Sequence, residues 1–279
     1  MVAERVGDMK IIGVIANFGK ERAAEAIRRV SDLARGMGFT VCEEPFAGKG
    51  VEAVVVLGGD GTMLDAAHRV AGQDLPLMGL NIGSLGYLTS VEEHQFEDAL
   101  RELREGRYTV SRRSALKVSV CRGGAGADDS LPDALNDVVF SRGALGRAVK
   151  IDVSLDGKLV ASVLCDGVIV STPTGSTAYS LSAGGPILLP DTPAIIINMI
   201  CPHTLTSRPL VVRDTAKIDL CAASCDASMV VWSDGRDSAM LQKGDSVRIV
   251  RSPRDVPLIE LHGYNPCDVM RRKLGWGGR

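Results

Sequence analysis

No stretch of this chain approaches the roughly 18 consecutive apolar residues that a membrane-spanning helix needs. Met1 to Asp8 carries charges without an apolar core, so neither a transmembrane helix nor a signal peptide is expected. An excess of one charge sign is missing as well. The 32 Lys and Arg against 34 Asp and Glu leave a net charge of −2, which gives no electrostatic reason to expect nucleic acid or a membrane as partner. The cysteines (Cys42, Cys121, Cys165, Cys201, Cys221, Cys225 and Cys267) include no Cys-x-x-Cys pair. Their odd number and strand-like settings favour reduced, packed thiols and a cytoplasmic protein. Cys221 and Cys225 lack partners at zinc spacing, and His68, His94, His203 and His262 are too dispersed for a sequence-local ligand cluster. No Gly-x-Gly-x-x-Gly follows a strand and no Gly-Lys-Ser/Thr occurs, so the dinucleotide fingerprint and the P-loop are both absent. Internal repeats and low-complexity tracts are missing too.

What remains is an ordinary globular composition, 45% apolar and 24% charged over 279 residues, suited to one large or two modest domains. Its centre is Ala53-Val-Val-Val-Leu57-Gly58-Gly59-Asp60-Gly61-Thr62-Met63-Leu64. Ala53 to Leu57 reads as a buried strand that the glycine pair stops. Thr62 is the expected N-cap of a helix whose Met63, Leu64, Ala67, Val70 and Ala71 fall at helical spacing before Gly72. Strand, glycine loop and helix N-terminus converge backbone N–H groups on an anion. Asp60 spoils a purely phosphate-cradling reading, because a carboxylate repels phosphate oxygens. An acid there suits Mg²⁺ binding, or accepting a proton from a hydroxyl that attacks phosphorus. The plain alternative is a tight turn in which Asp60 bonds its own backbone.

The first hundred residues alternate strands and helices. Strands are expected at Lys10–Ala16, Phe39–Cys42, Ala53–Leu57 and Leu77–Asn81, with a helix carrying Ala23, Ile27, Val30 and Ala34 on one face. Ser90 and Glu93 are expected to box the N-terminus of a helix carrying Phe96, Ala99, Leu100 and Leu103. Such alternation implies a Rossmann-like parallel sheet, with Asp60 and Asn81 beyond the carboxyl ends of its strands. After Gly106 the helices give way to short strands: Leu116–Cys121, Ala134–Phe140, Ala148–Leu155, Leu159–Leu164, Gly167–Ser171, Ala194–Ile200, Lys217–Cys221, Met229–Trp232 and Val247–Val250. Asp156-Gly157 marks a two-residue hairpin and Asp234-Gly235 a second hairpin candidate. Gly123 to Pro132 is expected to be a mobile loop, and Asn265-Pro266 to open a short final helix. The expected fold is thus α/β plus all-β. Residues 1–106 form the α/β domain, residues 107–251 a β-sandwich, and the segment 252–279 returns to the first.

Two stretches of the β half invite a polar ligand. Asn136-Asp137 interrupts an apolar strand, either as an edge pair facing water or as an amide and carboxylate for a base edge and ribose hydroxyls. In Asp166–Pro186 hydroxyls crowd at Ser176, Thr177, Ser180 and Ser182, with Tyr179 offering a stacking face. That segment holds neither a Gly-x-Ser-x-Gly elbow nor a Ser-x-x-Lys, which argues against hydrolase chemistry. On composition alone a Ser/Gly turn opening a short helix explains it too.

Taken together, Gly58-Gly-Asp-Gly-Thr62, Asn81-x-Gly-x-Leu-Gly-Tyr-Leu88, Asn136-Asp137, Asp166-Gly167, Ser171-Thr-Pro-Thr-Gly-Ser-Thr-Ala-Tyr179, Ser182-Ala-Gly-Gly-Pro186, Pro202-His-Thr-Leu205 with Arg208-Pro209, and Asp234-Gly235 resemble the NAD kinase family in kind and order. The resemblance implies transfer of the terminal phosphate of ATP, or of polyphosphate, to the 2′-hydroxyl of the adenosine ribose of NAD. Mg²⁺ or another divalent cation would assist, at metal ligands the sequence leaves unknown. It implies Asp60 as base, and Asp60, Gly61, Asn136, Asp137, Thr177, Ala178, Tyr179, Ser180 and Ser182 around NAD. Arg147 and Asp166 would reach a neighbouring subunit's site in a homodimer or homotetramer. Gly58, Gly59, Thr62, Asn81 and Gly83 would lie near the donor phosphates. Two other readings stand beside it. Lipid kinases of the diacylglycerol or sphingosine type resemble the chain at Gly58–Thr62 but lack the Thr172–Tyr179 segment. A non-catalytic NAD(P)-binding sensor would keep the β half without needing Asp60.

Overall fold

The computed structural model describes residues 9–16, 21–44, 46, 48–83, 86–89, 91–123, 128–143, 148–222, 229–242 and 244–276. The chain divides into two compact units, Met1–Arg112 with Val256–Arg279, and Arg113–Asp255. It begins with β1 (Ile11–Ala16), α1 (Glu21–Gly36), β2 (Thr40–Cys42), β3 (Ala53–Leu57), α2 (Asp60–Arg69), β4 (Leu77–Asn81) and β5 (Val91–Glu92). A 3₁₀ turn (Glu93–Gln95), α3 (Phe96–Arg104) and β6 (Tyr108–Arg113) follow. Then come β7 (Leu116–Cys121), β8 (Asp128–Ala134), β9 (Asp137–Arg142), β10 (Val149–Leu155), β11 (Lys158–Cys165) and β12 (Gly167–Ser171). A 3₁₀ turn (Thr174–Thr177), α4 (Tyr179–Ser182), β13 (Ala194–Ile200), β14 (Leu210–Arg213), β15 (Ile218–Ala222), β16 (Met229–Ser233), β17 (Asp237–Leu241) and β18 (Ser246–Arg251) continue the chain. It closes with β19 (Val256–Leu261) and α5 (Pro266–Leu274).

The first unit is built on one sheet, in the order β2-β1-β3-β4-β19-β6, with β5 on the end of β4. β1, β2, β3, β4 and β19 pair in parallel. All of β3 and β4 is buried, which is why both read as unbroken apolar runs. The chain steps from β1 out to β2 and then back past β1 to β3. Parallel sheets open a crevice at such a reversal, and the loop after β3 lies there. Leu57, Leu80, Phe96, Leu100 and Leu103 fill the core on which α3 packs. The capping box before α3 is built by Glu92 and Gln95. Glu93 is the first residue inside the 3₁₀ turn; Ser90, its expected partner, lies outside the described residues. Asn265 caps α5 by accepting from the Cys267 N–H at 2.9 Å, with Pro266 as first helical residue. Among the described residues no helix is long and apolar enough to cross a membrane.

The second unit holds two six-stranded sheets, β11-β10-β15-β18-β7-β8 and β14-β13-β12-β9-β16-β17. Their alternating strands share one core, in which Val118, Ile151, Leu220 and Ile249 meet Phe140, Val168, Ile195 and Val231. Asp156 and Gly157 take φ of 49° and 79° between the paired Leu155 and Lys158, the two-residue turn their sequence signals. Asp234-Gly235 differs. Ser233 pairs with Asp237, so the connection has three residues and includes Arg236.

The structure departs from two expectations. Gly123–Pro132 is not all loop, since Asp128–Ala134 is a strand on the edge of its sheet, where polar side chains can face water. Ala134–Phe140 is not one strand. Ala134 ends β8 in one sheet and Asp137 opens β9 in the other. The break has a hydrogen-bonding cause that belongs to the site.

Candidate active site

Asp60 is the first residue of α2, and Gly59 is its N-cap without a side-chain bond. Thr62, expected as the cap, stands instead in the first helical turn, buried with its side chain packed against Gly58. The shift has a consequence, because it sets the carboxylate at the positive end of the helix. Both carboxylate oxygens are engaged: the Tyr87 N–H donates to Oδ2 at 2.8 Å and the Leu88 N–H to Oδ1 at 2.9 Å. Burial, and then the Asp60 charge beside it, push the Tyr87 phenol above its ordinary value. The Lys273 ammonium lies 5.5 Å from the centre of the Tyr87 ring, which ties α5 to the same turn.

Gly86 leaves no room beside this carboxylate. A Cβ there would stand 2.7 Å from Asp60 Cγ and closer still to Oδ1 and to Thr89 Oγ1. Asn81 is buried and spends its side chain on the turn, accepting from the Gly83 N–H at 2.6 Å and donating to Thr89 Oγ1 at 3.3 Å. It therefore shapes the loop that the carboxylate rests on. Gly61 and Gly83 are exposed, whereas Gly58 is buried and Gly59 half-buried. Asn81, Ile82 and Gly83 line a cavity of about 670 Å³ with Arg29, Glu92, Glu93 and His94. Arg29 donates to Glu93 at 2.7 Å, and no signal in the sequence marks that pair.

In the second unit Asp234 organises the Asn136-Asp137 corner. Its carboxylate accepts from the Leu135, Asn136 and Asp137 N–H groups at 2.8, 2.8 and 3.1 Å. Those N–H groups serve a carboxylate in place of a neighbouring strand, and that is why β8 and β9 separate. The carbonyls are held too: Thr172 Oγ1 donates to the Leu135 oxygen at 2.6 Å and the Thr172 N–H to the Asn136 oxygen at 2.9 Å. With its backbone fixed on both sides, the dipeptide turns its side chains into a cavity of about 420 Å³. Val139, Ser141, Ala178, Tyr179, Ile200, Trp232, Asp234 and Gly235 line the rest of it.

Asp137 is 6% exposed. Burial first, and then the neighbouring Asp234 charge, push its carboxyl up from 3.8 to about 7, against the opposing bond from the Tyr179 N–H. An acid raised in the folded state holds its proton there after the unfolded chain has released it. Its stability contribution is full below about pH 4 and is lost as pH rises to about 7. Asp137→Asn keeps an acceptor for the Tyr179 N–H and removes the buried charge. It should flatten that fall and raise stability above pH 7 by on the order of 1–4 kcal/mol. Unfolding by denaturant at pH 5 and pH 8 measures both slopes, and identical slopes would contradict this assignment.

The remaining residues singled out in the sequence are placed as follows. Ala178 and Tyr179 line the cavity. Thr177 is half-buried, with its hydroxyl 3.3 Å from the Thr174 oxygen. Ser182 is exposed, and Ser180 is wholly buried against Gly185, outside the lining. Asp166 pairs with Arg142 at 2.9 Å. Arg147 lies outside the described residues. Asp234 and Thr172 stand in the motifs quoted above, but the sequence assigns neither of them a role in the site. Asp234 signals only a turn, and its partners are 97 to 99 residues away.

Two family models match the chain, the ATP-NAD kinase N-terminal domain over residues 38–108 and the ATP-NAD kinase C-terminal domain over residues 135–261. An NAD kinase of Thiobacillus denitrificans is 37% identical over 283 residues, 95% of this chain and 97% of the relative. One from Azoarcus sp. is 43% identical over 247 residues, 88% of this chain and 83% of the relative. Among solved structures, yeast NADH kinase complexed with NADH aligns with a TM-score of 0.86 at 22% identity, covering 98% of this chain and 89% of that one. An NAD kinase from Archaeoglobus fulgidus in complex with ATP aligns at 0.77 and 24%, covering 95% and 97%. These two likenesses are likenesses of fold.

Proposed function

This chain belongs to the NAD kinase family, and we propose that Asp60 is the base of the reaction and that the Asn136–Asp137 cavity takes the acceptor. The reaction itself moves the terminal phosphate of ATP to the 2′-hydroxyl of the adenosine ribose of NAD and yields NADP. The observation that carries the assignment is the held carboxylate of Asp60. Each oxygen accepts one backbone N–H and keeps a further lone pair for a hydroxyl proton. The 2′-hydroxyl donates to it. As the oxygen attacks phosphorus the proton passes to Asp60, the bond from the terminal phosphorus to its bridging oxygen breaks, and ADP leaves. The Thr62 and Met63 N–H groups donate to the Gly59 oxygen at 2.9 and 3.1 Å, which leaves the Asp60 and Gly61 N–H groups at the helix start to face the transferring phosphate. Asn136, Asp137 and Tyr179 hold the adenosine part of NAD, and Thr177 and Ser182 border it. Such a polar, carboxylate-bearing cavity suits ribose hydroxyls and a base edge better than an acyl chain, which favours NAD over a lipid acceptor.

No group of three or more His, Cys, Asp or Glu that could hold a metal occurs among the described residues. Asp60 alone at the phosphate loop fits Mg²⁺ carried in by the triphosphate, an ion that keeps most of its waters and needs only one or two carboxylates. When bound, it offsets the phosphate charge. NAD, ATP and Mg²⁺ together should yield NADP, and excess chelator should abolish the yield. Full activity in chelator would remove the cation from this account.

The six described thiols, Cys42, Cys121, Cys165, Cys201, Cys221 and Cys267, are free, which supports a reducing, cytoplasmic setting. We place a homo-oligomer interface on the β unit, where Leu159, Val160 and Leu164 of the edge strand β11 are exposed. Sedimentation should give a dimer or tetramer at assay concentrations; a fully active monomer would overturn it.

A further inference from the structure

Among the described residues three large aromatic side chains stand exposed, Tyr179 at 45%, Trp232 at 37% and Trp276 at 64%. Two of them, Tyr179 and Trp232, line the same 420 Å³ cavity. The sheet dictates where the indole points. Phe140, Met229 and Val231 face the core of the unit, so strand alternation turns Trp232 to the opposite face. There it stands directly across from Val139, which lines the cavity beside it. Most of the Trp232 surface is covered, and the remaining 37% leaves part of its ring for a ligand to cover. Around it the described lining carries amide, carboxylate and hydroxyl groups and, among the described residues, no Lys, Arg or His. Such a lining suits a flat heterocycle with polar edges better than a free phosphate.

We propose that Trp232 is a base-stacking residue of the acceptor cavity, forming with Tyr179 the aromatic surface against which a heterocyclic ring of the dinucleotide lies. The inference rests on the reading of this cavity as the acceptor site. Stacking on an aromatic side chain is driven by the π-face that every base presents. Trp232 therefore adds affinity for the ring, while Asn136 and Asp137 recognise its edge or the ribose hydroxyls. Adenine and nicotinamide share this chemistry, and the experiment separates them.

The chain has two tryptophans, so Trp276→Phe leaves Trp232 as the sole indole reporter. In that background NAD should quench the emission, with half the full quench reached near the concentration that half-saturates the reaction. Quenching by AMP identifies adenine as the stacked ring, and quenching by nicotinamide mononucleotide identifies nicotinamide; either supports the proposal. Trp232→Ala should raise the NAD KM about tenfold, the size of one base–aromatic stack, with a much smaller change in kcat. Trp232→Phe, which keeps a ring and protects against a folding artefact, should recover most of it. No quenching by NAD, with the KM of Trp232→Ala unchanged, would overturn the proposal. Asn136→Ala separates the two levels. If its KM rises while Trp232→Ala does not respond, only the stacking role falls. If neither responds, the cavity is not the acceptor site.

Discussion

Asp60→Asn should lower kcat by about 10²–10⁴-fold, the contribution of a positioned general base, and should also lower the melting temperature. The second effect follows from the two backbone bonds. The carboxylate accepts from both Tyr87 and Leu88, whereas an amide offers one oxygen and turns an N–H₂ toward the other N–H. One backbone donor is then left unpaired, at a cost of about 1–3 kcal/mol. Asparagine is close in shape here but not in hydrogen bonding. NAD affinity should change little, because the asparagine oxygen can still accept a bond from the 2′-hydroxyl although it cannot take its proton. Raising Mg²⁺ tests the competing role: a metal ligand lost to substitution would regain activity as the ion is increased, while a lost base would not. If Asp60 were only a turn residue, stability would fall while the folded variant kept its turnover. Gly86→Ala offers a second approach to the same carboxylate, since its methyl would occupy the space of Oδ1 and force the base from its place. It should resemble Asp60→Asn in kcat with every titratable group intact.

Gly175→Ala should cost about 3 kcal/mol of stability, toward the upper end of overpacking effects, and raise the NAD KM at least tenfold. A Cβ at this position would stand 2.7 Å from Asn136 Cα and nearer still to its carbonyl carbon and oxygen. Backbone cannot swing aside as a flexible side chain would. That carbonyl already accepts the Thr172 N–H at 2.9 Å, and the Asn136 N–H is held by Asp234 at 2.8 Å. Accommodating the methyl therefore displaces the dipeptide that is assigned to the acceptor. Gly36→Ala is the matched control, because a Cβ there meets nothing within 4 Å. Chemical denaturation and NAD saturation curves of both variants measure the two effects. A Gly175→Ala protein as stable as the control and equally saturable would show that the close approach has no role.

Much of the architecture could be read locally. β3 and β4 are buried throughout, so their apolar runs announce parallel strands, and α3 shows its core face at helical spacing. Asp156-Gly157 and Asn265-Pro266 carry their turn and cap chemistry in two adjacent residues. Features set by distant partners were not legible. Leu135 and Asn136 look like strand because they stand in an apolar run, yet their N–H groups go to Asp234 nearly a hundred residues on. β8 is polar because only one of its edges is paired, and alternation rules do not detect such a strand. Thr62 has a capping side chain, but the close packing of Gly58 against it leaves Gly59 to end the loop. At the site, motifs locate the residues. The clamp on Asp60 and the burial that raises the Asp137 carboxyl appear only once the chain is folded.

The most direct measurement is the position of the phosphate in the product. With NAD, ATP and Mg²⁺ supplied together, phosphorus NMR of the purified product should show one new monoester on the 2′-oxygen of the adenosine ribose, with one ADP formed per molecule. ATP consumed without that ester, or a phosphate attached at any other oxygen, would contradict the assignment of Asp60 and of the acceptor cavity.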